Sequence, residues 1–117
     1  MKIREMLKNQ IVWQGLMSRK MPAKVAYAIA KNMQKVDPEI KLYNETRLKL
    51  LGENWKMDED GEKFVIPPAD EAKWQAMLDE LLDVDVDLAP HMLDFSQLEP
   101  VELTPQEILA LDFMIAQ

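Results

Sequence analysis

Between Pro22 and Gly52 the apolar residues keep step with an α-helix. Val25, Ile29, Met33, Val36, Ile40, Tyr43 and Leu50 recur at multiples of three or four, with Arg47 filling the remaining step. An unbroken helix over this stretch is about 46 Å long at 1.5 Å per residue. A rod of that length cannot bury its own stripe, so other segments have to fold along it. Asp37-Pro38 interrupts the polar pattern, yet the apolar phase continues across it, which predicts one kinked rod rather than two helices. Ala23, Ala26, Ala28 and Ala30 offer a small-residue surface on which a second helix can approach closely.

The remaining segments read as companions for this rod. Ile3, Met6, Leu7, Trp13, Leu16 and Met17 share a face of a helix from about Lys2 to Met17, and Ser18 to Pro22 is a short return connection. After Gly52, the runs Trp55 to Met57 and Glu62 to Ile66 flank Asp58-Glu59-Asp60-Gly61, which predicts a small hairpin. Pro67-Pro68 stops it. Trp74, Met77, Leu78, Leu81 and Leu82 then mark a further amphipathic helix, expected to run antiparallel to the rod. Val84 to Leu88 alternates like a half-buried strand, with Met92 to Phe95 or Val101 to Leu103 as pairing candidates. Thr104-Pro105-Gln106-Glu107 is a capping box that opens a last helix, Ile108 to Ala116, apolar on nearly every side and therefore expected to be buried. Within it, Asp112 is expected to be a buried carboxylate paired with Arg47 or Arg4. The fold class is α+β and predominantly α: antiparallel helices around one long central helix, a small β-hairpin, and a short C-terminal strand unit followed by a buried helix. The whole chain, 1–117, reads as one domain.

Composition narrows the functional classes. The 117 residues contain no cysteine, which excludes disulfides and thiolate metal sites, and no apolar run reaches the length of a membrane span. The N-terminal MKIREMLKNQ carries charges where a secretory signal needs its apolar region, so no export signal is expected. Net charge is −7, but it is unevenly spread: residues 1–50 hold eleven Lys or Arg against four Asp or Glu, residues 51–117 three against seventeen. Halves of +7 and −14 imply that the acidic part folds on the basic part, that subunits pair head to tail, or that one face meets a charged partner.

Candidate chemistry is sparse. Asp83, Asp85 and Asp87 have the spacing of a calcium loop, but Leu88 and Asp94 stand where such a loop needs glycine and a bidentate glutamate. His91 is the one histidine and has no neighbouring nucleophile or ligand motif. The glycines at 15, 52 and 61 are isolated, so there is no phosphate loop. No enzyme, cofactor or metal is expected. Nine methionines provide adaptable apolar surface, suited to a core or to a permissive groove. Lys20, Lys24, Lys31, Lys35, Lys41, Arg47 and Lys49 can line one flank of the rod, but they lack interleaved aromatic residues and an overall basic balance, so nucleic acid is not the expected ligand. The expected interaction surface is Lys24, Tyr27, Lys31, Tyr43 and Arg47.

Met21-Pro22-Ala23-Lys24-Val25-Ala26-Tyr27-Ala28-Ile29-Ala30-Lys31, Tyr43-Asn44-Glu45-Thr46-Arg47, the Asp-Glu-Asp-Gly turn, Leu81-Leu82 with Val84 to Leu88, and Glu102 through Ile115 follow one another along the chain. In this order of features the chain resembles a family of small uncharacterised proteins of tailed bacteriophages and prophages, mainly of Gram-positive hosts. The resemblance implies a helical accessory protein in the host cytoplasm, free or associated with the virion; it brings no catalytic residues. Three functional classes follow. The first is a non-enzymatic protein that assembles with itself or docks on a viral or host protein. The second is a counter-defence inhibitor, its acidic half imitating nucleic acid before a host nuclease or the protein sequestering a nucleotide signal. The third is small-molecule binding at an oligomer interface near Lys24, Tyr27 and Lys31.

Overall fold

The computed structural model describes residues 1–116. Four α-helices dominate: α1 (Ile3–Met17), α2 (Ala23–Asn54), α3 (Glu71–Leu82) and α4 (Pro105–Leu111). Two short strands, β1 (Leu93–Asp94) and β2 (Ile115–Ala116), form the sheet. The molecule is elongated, 53 × 28 × 22 Å, because α2 sets its long axis.

Helix α2 runs for 32 residues without interruption through Pro38. Pro38 is exposed, so the carbonyl that its missing N–H leaves unpartnered faces the solvent side. The stripe read from the sequence is buried as far as Tyr43, with Val25, Ile29, Met33, Val36 and Ile40 joined by Ala28 and Asn32; at its end Leu50 is only half-buried and Leu51 is buried instead. Helix α1 covers the first half with Met6, Trp13 and Leu16, and the C-terminal segment adds Leu93, Leu98, Ala110, Leu111, Met114 and Ile115 to the same core. Trp13 is the hub. Its indole N–H donates to the Ala110 carbonyl at 2.7 Å, and its ring meets Phe113 edge-on at 5.5 Å.

Beyond residue 40 the packing is thinner. Helix α3 contains no buried residue, and it is held by Trp74 against Trp55 (5.8 Å between ring centres) and by Arg4 of α1, which pairs with Asp79 and Asp83. The Trp55 indole donates to Asp70, one residue before α3 begins.

Several expectations about the extended segments need correction. The turn at Asp58 to Gly61 forms, with Gly61 at φ 70, but pairing between the flanks is a single bridge, Met57 with Phe64, rather than a hairpin ladder. Two isolated strands are marginal in water, and although Trp55 is buried and Phe64 and Ile66 are half-buried, Met57 and Val65 are left exposed. Val84 to Leu88 is not a strand either. It meets the start of the chain, where Lys2 bridges Asp85, the Ile3 N–H donates to the Val84 carbonyl and the Val86 N–H to that of Met1; α1 begins at Ile3 and ends the pairing.

The sheet itself is parallel, pairing Leu93 with Ile115 and Asp94 with Ala116. Parallel strands need a crossover of a dozen or more residues, usually carrying a helix, and here the crossover carries α4. The last helix therefore does not follow the strand unit but lies inside it. It stops at Leu111, and Asp112–Met114 form a 3-10 turn leading into β2. Nor is it apolar all round in context: Ala110 and Leu111 are buried, whereas Leu109 is 75% exposed. Asp112 is exposed and forms no ion pair among the described residues; Arg4 is engaged by α3 instead, and Arg47 likewise forms none.

Candidate functional site

The first turns of α2 and the segment entering β1 meet along a groove. It is lined by Ala23, Lys24, Tyr27, His91, Met92, Leu93 and Gln97 and encloses about 410 Å³. Helical spacing puts Lys24, Tyr27 and Lys31 on the side of α2 away from the core stripe, and all three are exposed. Tyr27 would be a solvated side chain on a bare helix. Here its ring stands edge-on to His91, 5.7 Å between centres at 80°.

Asn32 fixes the facing wall. It is buried, 1% exposed, within the apolar stripe, and it uses both ends of its side-chain amide on one peptide segment. Its oxygen accepts the His91 backbone N–H at 2.7 Å, and its amide nitrogen donates to the His91 carbonyl at 2.9 Å and to the Met114 sulfur. A buried amide with its partners supplied is stabilising, while one without them costs about 1–3 kcal/mol, so the segment is clamped to α2. One turn further on, Lys35 donates to the carbonyl of Ala89, a residue with a positive φ of 44°. The wall across from Tyr27 is thereby built before any ligand arrives.

The other expected surface residues lie elsewhere. Tyr43 is buried at 7% exposure and Arg47 half-buried, both on the core side of the distal half of α2. They are 16 and 20 residues beyond Tyr27, some 24 and 30 Å along the axis. The structure brings Lys24 and Tyr27 together, with Lys31 one turn away, and separates them from Tyr43 and Arg47. His91, Met92 and Gln97 were missing from the sequence-based surface. Asn32 carried the one usable signal, since it falls in phase between Ile29 and Val36, where an apolar residue is due.

A larger cavity, about 670 Å³, lies between the α1–α2 connection and residues 100–104. Its chemistry is structural. Arg19 forms an ion pair with Glu107 and donates to the Glu102 carbonyl, while Glu107 also accepts the Thr104 N–H and donates its own N–H to the Thr104 hydroxyl. The Thr104 backbone N–H, and then Arg19, hold the Glu107 carboxyl below the ordinary glutamate range. Among the described residues no group of three or more His, Cys, Asp or Glu side chains is placed to hold a metal ion. No helix of the described residues is long and apolar enough to cross a membrane. Comparison of the chain with known protein families, curated proteins and solved structures yielded no match.

Proposed function

We propose that the protein works without catalysis, by docking another protein in the groove between Tyr27 and His91. The groove itself carries this reading: its walls are apolar and aromatic, its lining contains a lysine and no carboxylate, and both sides are held by a helix and a clamped backbone. A site with a preordered wall loses little entropy when a partner segment enters it. Lys24 in its lining and Lys31 one turn further along α2 form no ion pair among the described residues, so their charge is available to an acidic partner. Taken with the resemblance of the sequence, the reading is of a phage accessory factor that acts in the host cytoplasm on a viral or host protein or on its own copies.

A photo-crosslinking amino acid at Tyr27 tests the reading, with the same group at Ile11, 81% exposed on the outer face of α1, as control. Crosslinks to protein from position 27, absent from position 11 and reduced by K24E/K31E, are expected. Position 27 crosslinking nothing in the expressing host, infected or uninfected, overturns it.

A second reading is favoured by the acidic half. Of its seventeen carboxylates only Glu53, Asp79, Asp83, Asp85 and Glu107 are ion-paired among the described residues. A surface of uncompensated negative charge suits an inhibitor that occupies the nucleic-acid cleft of a host defence nuclease. Restriction and CRISPR interference assays with and without the protein separate it from the first reading.

A further inference from the structure

We propose that the segment occupying the groove is the acidic turn of a second copy of this chain, so that molecules join head to tail; this rests on the groove being a protein-docking site. The turn has the complementary chemistry. Glu59, Asp60 and Glu62 are exposed and form no ion pair among the described residues, and beside them Met57 and Val65 are 47% and 55% exposed. Charge on the turn thus faces Lys24 and Lys31, and the Met57 thioether is the kind of adaptable apolar group that packs against aromatic rings such as Tyr27 and His91.

The turn is also preordered. The Asp58 N–H donates to the Lys63 carbonyl at 2.8 Å, the Gly61 N–H donates to the Asp58 carbonyl, and the Asp58 carboxylate accepts the Glu62 N–H at 3.0 Å. Presenting it to a partner therefore orders few additional residues.

Geometry excludes the same molecule as the source. The groove lies on the first turns of α2 and the turn follows shortly after its last residue, Asn54, so a continuous helix of about 48 Å, along the 53 Å long dimension of the molecule, holds them apart. A turn that cannot reach its own groove can reach another's. Such a contact uses two different patches, so it propagates into a ring or an open filament rather than closing as a symmetric dimer.

Sedimentation velocity over a concentration series tests this on the full chain, with circular dichroism confirming that each variant is folded. Wild type is expected to form species larger than a dimer as concentration rises, and to lose them near about 0.5 M salt, where the Debye length is only a few ångström. K24E/K31E and E59K/D60K are each expected to weaken assembly about tenfold or more, and the quadruple variant, with the charges exchanged, to regain it. A wild-type protein that stays monomeric at about 1 mM overturns the proposal. So does full assembly of E59K/D60K, which would mean that the turn takes no part. If wild type is monomeric while Tyr27 still crosslinks to another protein, self-docking falls and the groove reading stands; if Tyr27 also captures nothing, both fall.

Discussion

The two halves of α2 are one helix by hydrogen bonding but sit in different surroundings. From Val25 to Val36 the stripe is covered by α1 on one side and by the β1–α4–β2 unit on the other, and of its buried residues all but Met33, at 6%, are 2% exposed or less. Past Ile40, the last residue of α2 in that core, the buried Tyr43 and Leu51 retain 6–7% exposure, and the helix packed on this end is α3, which buries none of its own side chains completely. Helix continuity therefore does not imply uniform stability. Local opening free energy follows buried apolar contact, so the distal half should open well before the proximal half, although the helix is continuous through Pro38. The groove is placed on the firm half and the acidic turn hangs from the soft one.

Removing the hub of the firm half should have the largest effect. Trp13→Ala deletes the largest fully buried side chain and strips the Ala110 carbonyl of its donor, so a loss of about 3–5 kcal/mol is expected in denaturant unfolding. A loss under about 1 kcal/mol would show that the halves do not differ as described. Asn32→Ala comes next: two backbone groups of His91 lose their partner, at a cost of about 1–3 kcal/mol. Its specific signature is a shift of the His91 and Tyr27 ring resonances, since the wall of the groove is released.

Trp74→Ala sharpens the contrast from the other side. Trp74 is half-buried against Trp55, so about 1–2 kcal/mol is expected, with faster hydrogen exchange confined to α3 and the last turns of α2. Equal loss of protection from Val25 to Val36 would mean that the helix opens as one unit. The smallest effect is Glu107→Gln, which keeps an acceptor for the cap but removes the charge facing Arg19. The folded protein holds the Glu107 carboxyl below its unfolded value, so it binds fewer protons there than the unfolded chain. Its contribution is complete above the unfolded value of about 4.3 and is lost as pH falls through the lowered folded value. The variant should accordingly show a flatter stability profile below about pH 4.3 and little change at neutrality.

The helices were legible because a helix is written in local spacing. Val25 to Tyr43 and Met6 to Leu16 repeat every three or four residues whatever they pack against, and Thr104-Pro105-Gln106-Glu107 caps α4 with groups at most three residues apart. The extended segments were not legible in the same way. Val84 to Leu88 alternates as a strand should, yet alternation names no partner, and the partner turned out to be Lys2, 83 residues away and too close to a helix start for a ladder. The groove shows both cases. Lys24 and Tyr27 could be placed on one exposed face from the sequence, whereas His91 arrives from 59 residues beyond Asn32.

What the sequence by itself determined is where α1 and α2 run, which stripe those two bury, where α4 begins and how oppositely charged the two halves of the chain are, since these follow from neighbours within a turn and from counting. Which segments pair, in which direction, and which side chains share a groove was decided only in three dimensions. A parallel pair such as Leu93 with Ile115 closes a 22-residue loop and gains its hydrogen bonds only once α4 and Trp13 have packed, so nothing in either dipeptide could announce it.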